Sequence, residues 1–142
     1  MTMNENAKGF SGRCLCGAVT FESRAEPQAV FHCCCEDCRR SSGTGHCTHI
    51  VIPESAFSLT GDVTFFAHRS DSGNTVTKAF CGTCGSPIYS TNSGYPGAVF
   101  PRASVLNDPE MVRPQMVVYS SRAVSWDKLD ETLPAFPELA GG

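Results

Sequence analysis

From Phe10 onward, apolar and polar residues alternate in short bursts separated by turn-forming residues. A period of two puts successive side chains on opposite faces of an extended chain, so each burst predicts a short β-strand. The bursts are AVTFES (18–23), QAVFH (28–32), THIVIP (48–53), DVTFFAH (62–68), NTVTKAF (74–80), GAVFPR (97–102) and QMVVYS (115–120). Between them stand TGD (60–62), SDSGN (70–74), NSGYPG (92–97) and NDPE (107–110), rich in the residues that favour turns. A single helical turn is expected after Cys35, where EDCRRSSG ends in a glycine suited to stop a helix. The pattern predicts a mainly β fold with short strands and little helix. Residues 1–9 read as a flexible tail, 10–130 as one domain and 131–142 as a C-terminal tail. The stretch after Trp126, with Pro134, Pro137 and a terminal Gly-Gly, is expected to pack loosely at the surface.

Composition narrows the class. A chain of 142 residues, 41% apolar and 18% charged, suits one globular domain and excludes a disordered one. No run of about 18 apolar residues is present, so no membrane span is predicted. The start, MTMNENAKGF, lacks the charged-then-apolar order of a signal peptide, and a cytoplasmic location is expected. Thiols stay reduced there, so clustered cysteines point to metal or catalysis rather than disulfides. The odd count of nine cysteines points the same way. A net charge of −3 disfavours a nucleic-acid partner, which would need a basic patch.

The cysteines fall into three groups. RCLCG supplies Cys14 and Cys16, FHCCCEDCRR supplies Cys33, Cys35 and Cys38, and FCGTCG supplies Cys81 and Cys84. C-G-T-C-G is a zinc-knuckle pattern, in which glycine allows the tight turn that aims two sulfurs at one point. One knuckle gives two ligands and a structural zinc takes four, so Cys14 and Cys16 are its natural complement. Cys33, Cys35 and Cys38 then form a three-thiolate loop with an open position, the arrangement of a catalytic zinc. Other groupings of these sulfurs are open at this point. The bland alternative is two closed sites that only staple the fold, the second completed by His32, His46, His49 or Cys34.

The remaining candidates carry weaker signals. Cys34 lies between ligands and should point away from them, and Cys47 in a strand-like run reads as a small buried hydrophobe. His32 should alternate away from the cluster, and His46, His49 and His68 read as ordinary sheet or surface residues. Arg40 fits a solvated helix end. Arg39, directly after Cys38, is a candidate catalytic residue, since a cation beside thiolates lowers their pKa and attracts a carboxylate. Tyr89, Tyr95 and Trp126 are more often core than pocket residues in a small β domain.

Taken together, GRCLCGAVTF, CCCEDCRRSSG, IPESAFSLTGD, FCGTCGSPIYS and SSRAVSWDKLDETLPAF resemble the glutathione-dependent formaldehyde-activating family, also called the centromere-protein-V/GFA domain. The resemblance spans nearly the whole chain and implies an Mss4-like, zinc-stapled β fold. It implies two zinc ions per chain: a structural one on Cys14, Cys16, Cys81 and Cys84, and a catalytic one on Cys33, Cys35 and Cys38. The implied activity is that of a carbon–sulfur lyase acting on a small thiol adduct, such as S-hydroxymethylglutathione formed from glutathione and formaldehyde. A zinc-stapled protein-binding module of the same fold is the alternative. Members commonly carry histidine where this chain has Cys34. Glutathione as a partner would need cations for its two carboxylates, and Lys78, Arg102 and Arg122 qualify by residue type.

Overall fold

The computed structural model describes residues 9–139, so nearly all of the expected N-terminal tail lies outside the described residues. The strands are β1 (Phe10–Arg13), β2 (Thr20–Ser23), β3 (Ala29–Cys33), β4 (Cys47–Pro53) and β5 (Phe57–Thr60), followed by β6 (Val63–Arg69), β7 (Thr75–Cys81), β8 (Pro87–Asn92), β9 (Ala98–Pro101) and β10 (Met116–Val118). The one α-helix among the described residues, α1 (Glu36–Ser42), starts where Cys35 Sγ accepts the Cys38 amide and ends at Gly43. The mainly β expectation is met. Every alternating burst became a strand, while β1, β5 and β8 were not anticipated. FSGR and FSLT, at four residues each, are too short to show a period, and β8 opens on a proline straight after the second knuckle.

The strands form two sheets, one in the order β1-β2-β5 and one in the order β10-β3-β4-β9-β8-β7-β6. All neighbours are antiparallel except β10, which runs parallel to β3 with Val118 opposite Cys33. The main core packs Phe10, Val19 and Phe21 of the smaller sheet region against Val30, Ile50, Ile52, Ile88 and Val99 of the larger one. Phe21 meets Phe10 edge-on at 6.3 Å between ring centroids and Phe57 at 5.6 Å. Each Å² of apolar surface these rings remove from water stabilises the fold by about 25 cal/mol, which holds the sheets together.

Strand β4 is buried on both faces, and its period decides what the site contains. Ile50 and Ile52 enter the main core, while Cys47 and His49 turn the other way. Register places Cys47 opposite Cys33 and His49 opposite Phe31, so both strands present these side chains to one face. The segment after Trp126, expected to pack loosely, returns to β10. Val117 donates its amide to Pro134 O at 2.9 Å, Phe136 donates to Val117 O at 2.8 Å, and Tyr119 donates to Glu138 O at 2.8 Å. No helix among the described residues is long and apolar enough to cross a membrane.

Candidate metal centres and cleft

The first cysteine group forms where two hairpin turns meet. Cys14 and Cys16 lie in the β1–β2 turn, while Cys81 ends β7 and Cys84 lies in the turn that follows it. Gly17 (φ 84°) and Gly85 (φ 82°) follow the second cysteine of each pair in the left-handed region, where a side chain would be strained. All four sulfurs lie within 4.8 Å of one another. Cys14 Sγ is 3.6 Å from Cys16 Sγ, which is 3.8 Å from Cys81 Sγ. A tetrahedron of thiolates with 2.3 Å metal bonds has sulfur–sulfur edges of about 3.8 Å, so the group is sized for zinc. Backbone amides support the charge: Val19 donates to Cys14 Sγ at 3.3 Å and Cys84 to Cys81 Sγ at 3.5 Å. The Ser86 hydroxyl and amide, with the Cys16 backbone, pull the Cys84 thiol down to about 5.

The second group sits where β3 runs into α1. Cys33 ends the strand, Cys35 caps the helix and Cys38 lies on its first turn, which brings the three sulfurs within 4.8 Å of one another. Their protons are shared unequally. Hydrogen bonds from the Cys33 and Cys38 thiols, aided by the Cys38 and Asp37 amides, pull Cys35 down to about 2. In turn Cys33 is pushed up to about 12, chiefly by Cys35, and Cys38 is raised by Cys33, Cys35 and Cys47. Three sulfurs this close could all ionise only with a cation among them to balance their charge, which a bound metal would supply.

Around this group opens a cleft of about 460 Å³. Cys33, Cys35 and Cys38 line it with apolar walls from Phe31, Val51, Phe100 and Met116. Lys78, Arg102 and Arg122, singled out by residue type alone, all stand on its walls. Lys78 Nζ donates to Ser41 Oγ at 3.0 Å, and Arg122 lies 3.4 Å from Asp71 at the rim. Tyr95 and Tyr119 also line the cleft, whereas Tyr89 packs against the main core and Trp126 is exposed. Tyr119 is the one non-glycine residue with positive φ among those described (φ 55°). Burial, then the nearby Cys33 and Cys35 charges, holds its phenol protonated above the usual tyrosine range.

Arg39 lies beyond Cys38 on α1 and is not among the cleft-lining residues; its Nε is buried without a hydrogen-bond partner. His32 and His46 point to the opposite face. His32 Nδ1 is 2.8 Å from Thr48 Oγ1, and His46 Nδ1 is 2.7 Å from Asp127 Oδ2. Cys34 is fully buried and outside both cysteine groups, its thiol pushed up by burial and then by Asp127.

His49 and Cys47 lie closer to the cysteines of the cleft than their spacing suggested. His49, read as an ordinary sheet or surface residue, does lie in a strand, β4, but is buried under the cleft with Nε2 3.3 Å from Cys38 Sγ. Cys47, buried as expected, lies within 4.8 Å of both Cys38 and His49 in a further donor group. Its thiol is pulled down to about 6, first by Cys38 and further by the Arg102 and Lys78 charges. Burial, then Arg102, lowers the His49 pKa well below its ordinary value. The available sequence signal was the i, i+2 spacing of Cys47 and His49 on a strand whose other face carries Ile50 and Ile52.

A model of the family described as glutathione-dependent formaldehyde-activating enzyme matches residues 9–122, which include both cysteine groups and most of the cleft. The chain belongs to that family. Its fold is also similar to a crystal structure of a Rhodobacter sphaeroides protein, solved as a structural genomics target. That similarity has a TM-score of 0.56 at 22% identity and covers 73% of this chain and 91% of the other. No curated protein sequence matches the chain.

Proposed function

We propose that this family member is a zinc-dependent enzyme of the carbon–sulfur lyase type that makes or breaks the adduct between a small thiol, such as glutathione, and an aldehyde such as formaldehyde. The observation that carries the reading is the three-sulfur group opening into a cleft with cationic walls. A structural zinc would be held by Cys14, Cys16, Cys81 and Cys84, and a catalytic one by Cys33, Cys35 and Cys38. Bound there, the catalytic ion would lower the pKa of an incoming thiol and leave it a nucleophilic thiolate.

The chain's own residues bind and orient the substrate. Lys78 and Arg122 attract the carboxylates of a thiol peptide, and the apolar walls exclude water from the reacting pair. The Tyr119 phenol, on the cleft wall and held protonated, would donate a hydrogen bond to the aldehyde oxygen as it gains charge. Arg39, outside the lining, contributes through its charge beside Cys38.

Zinc stoichiometry on protein purified without chelator, with X-ray absorption during a glutathione titration, tests the proposal. Two zinc ions per chain, one gaining a sulfur neighbour as glutathione is added, is the expected result. Two ions with no change would sink the enzyme reading and leave a zinc-stapled binding module.

A further inference from the structure

The buried contact between His49 and Cys38 has a partner behind it. Arg102, 4% exposed, reaches from the end of β9, and its Nη1 donates to Ser90 Oγ at 3.0 Å and to Phe100 O at 3.0 Å, with His49 Nδ1 also 3.0 Å away and sharing the two hydrogens of that nitrogen. A guanidinium has only donors. His49 Nδ1 must therefore accept, which leaves the ring its proton on Nε2, the atom that faces Cys38 Sγ at 3.3 Å. Rotating the ring by half a turn would set two C–H groups against Arg102 and Cys38 and lose both hydrogen bonds. Stacking of the ring on Phe31, at 5.2 Å between centroids, holds its plane.

We propose that Arg102 and His49 are a positioning pair for Cys38: the guanidinium fixes His49 as the Nε2–H tautomer, which donates to the Cys38 sulfur and is itself unable to bind metal. The proposal rests on the reading of Cys38 as a metal ligand. It also decides between two overlapping donor groups, since Cys38 belongs both to Cys33/Cys35/Cys38 and to Cys38/Cys47/His49. Metal binding through Nε2 would need that nitrogen without its proton while Nδ1 still faces a donor, so the ring would have to become an anion. The second group is thereby closed to a metal, and the ion is directed to the three cysteines that open into the cleft. The same hydrogen bond draws charge from the Cys38 thiolate, as outer partners of metal ligands do. Arg102 has no carboxylate within ion-pair distance among the described residues, and its charge bears on His49 and on the Cys47 thiol beside it.

Two-bond proton–nitrogen correlation of the histidine rings, on nitrogen-15-labelled protein carrying its metal, reads the tautomer directly. The expected pattern for His49 is a protonated Nε2 and a bare Nδ1. A protonated Nδ1, or an Nε2 bonded to metal, would overturn the proposal. This readout needs no thiol substrate, so it can succeed where the enzyme reading fails. Two substitutions add a functional arm. His49→Gln retains an acceptor for Arg102 and a donor for Cys38, and should hold the ion at the three-cysteine site within about threefold of the parent's affinity. His49→Phe should weaken that site by about 10- to 100-fold, measured by chelator competition. Equal losses in both variants would reduce His49 to a packing residue and refute the pairing.

Discussion

Cys35 joins two roles in one atom. Its sulfur belongs to the three-cysteine group and also caps α1 by accepting the Cys38 amide at 3.3 Å. Serine caps a helix as well as any residue, but its hydroxyl is a poor ligand for a metal that prefers thiolate. Cys35→Ser therefore separates the roles. The helix should survive, with a stability change of about 1 kcal/mol or less, while one metal ion per chain is lost. Metal analysis alongside a thermal melt checks this, and global unfolding would show that the site is part of the fold's foundation. Neighbouring Cys34 illustrates how position overrides composition: one residue away along the chain, it is fully buried outside the group. Adjacent residues cannot both aim at one point from an extended chain, which made its exclusion legible in advance.

At the level of elements, the four-cysteine group joins turns from different sheets. Cys14 and Cys16 belong to the β1–β2 turn of the smaller sheet, and Cys81 and Cys84 to the end of β7 and the turn after it in the larger one. A metal there would fasten the two sheets beside their shared core. Structural zinc contributes roughly 10–16 kcal/mol in small zinc domains, comparable with the whole stability of a typical domain, roughly 5–15 kcal/mol. Cys81→Ser or Cys84→Ser should consequently unfold the protein or leave it a loosely packed state, seen as loss of the near-ultraviolet circular dichroism signal. A folded variant with its full metal content would contradict the structural role. This pairing was readable because each knuckle carries its own glycine signal within a few residues. The Cys38–His49–Arg102 chain was not, because it depends on β3–β4 register and on β9 delivering Arg102 from 53 positions beyond His49. Alternation along β4 tells which residues share a face, but not which face meets the cysteines.

At the scale of the whole molecule, the family match ends at residue 122, yet the chain continues back to the wall of the cleft. Residues 134–138 cover the outer edge of β10, which holds β3 on its other side, and Phe136 packs against the cluster of Cys33, Cys38, Cys47 and Val118. Asp127 anchors the approach to this segment through His46. Proline and glycine content suggested a loose end, since composition carries no sign of a partner edge more than a dozen residues back. The consequence is that the cysteine group's wall is braced from outside the matched region. Phe136→Ala removes the ring but keeps the backbone hydrogen bonds. It should cost about 2 kcal/mol, below the range for a fully buried phenylalanine because the ring is only half-buried. The loss should appear in urea unfolding. Local loosening should also speed metal release from the three-cysteine group while the four-cysteine group, braced by the other core, releases at its original rate. Two-phase transfer to a chromogenic chelator separates these rates. Acceleration of the faster phase alone is the expected result; equal acceleration of both would mean that the C-terminal segment stabilises the molecule as a whole and gives the cleft no separate support.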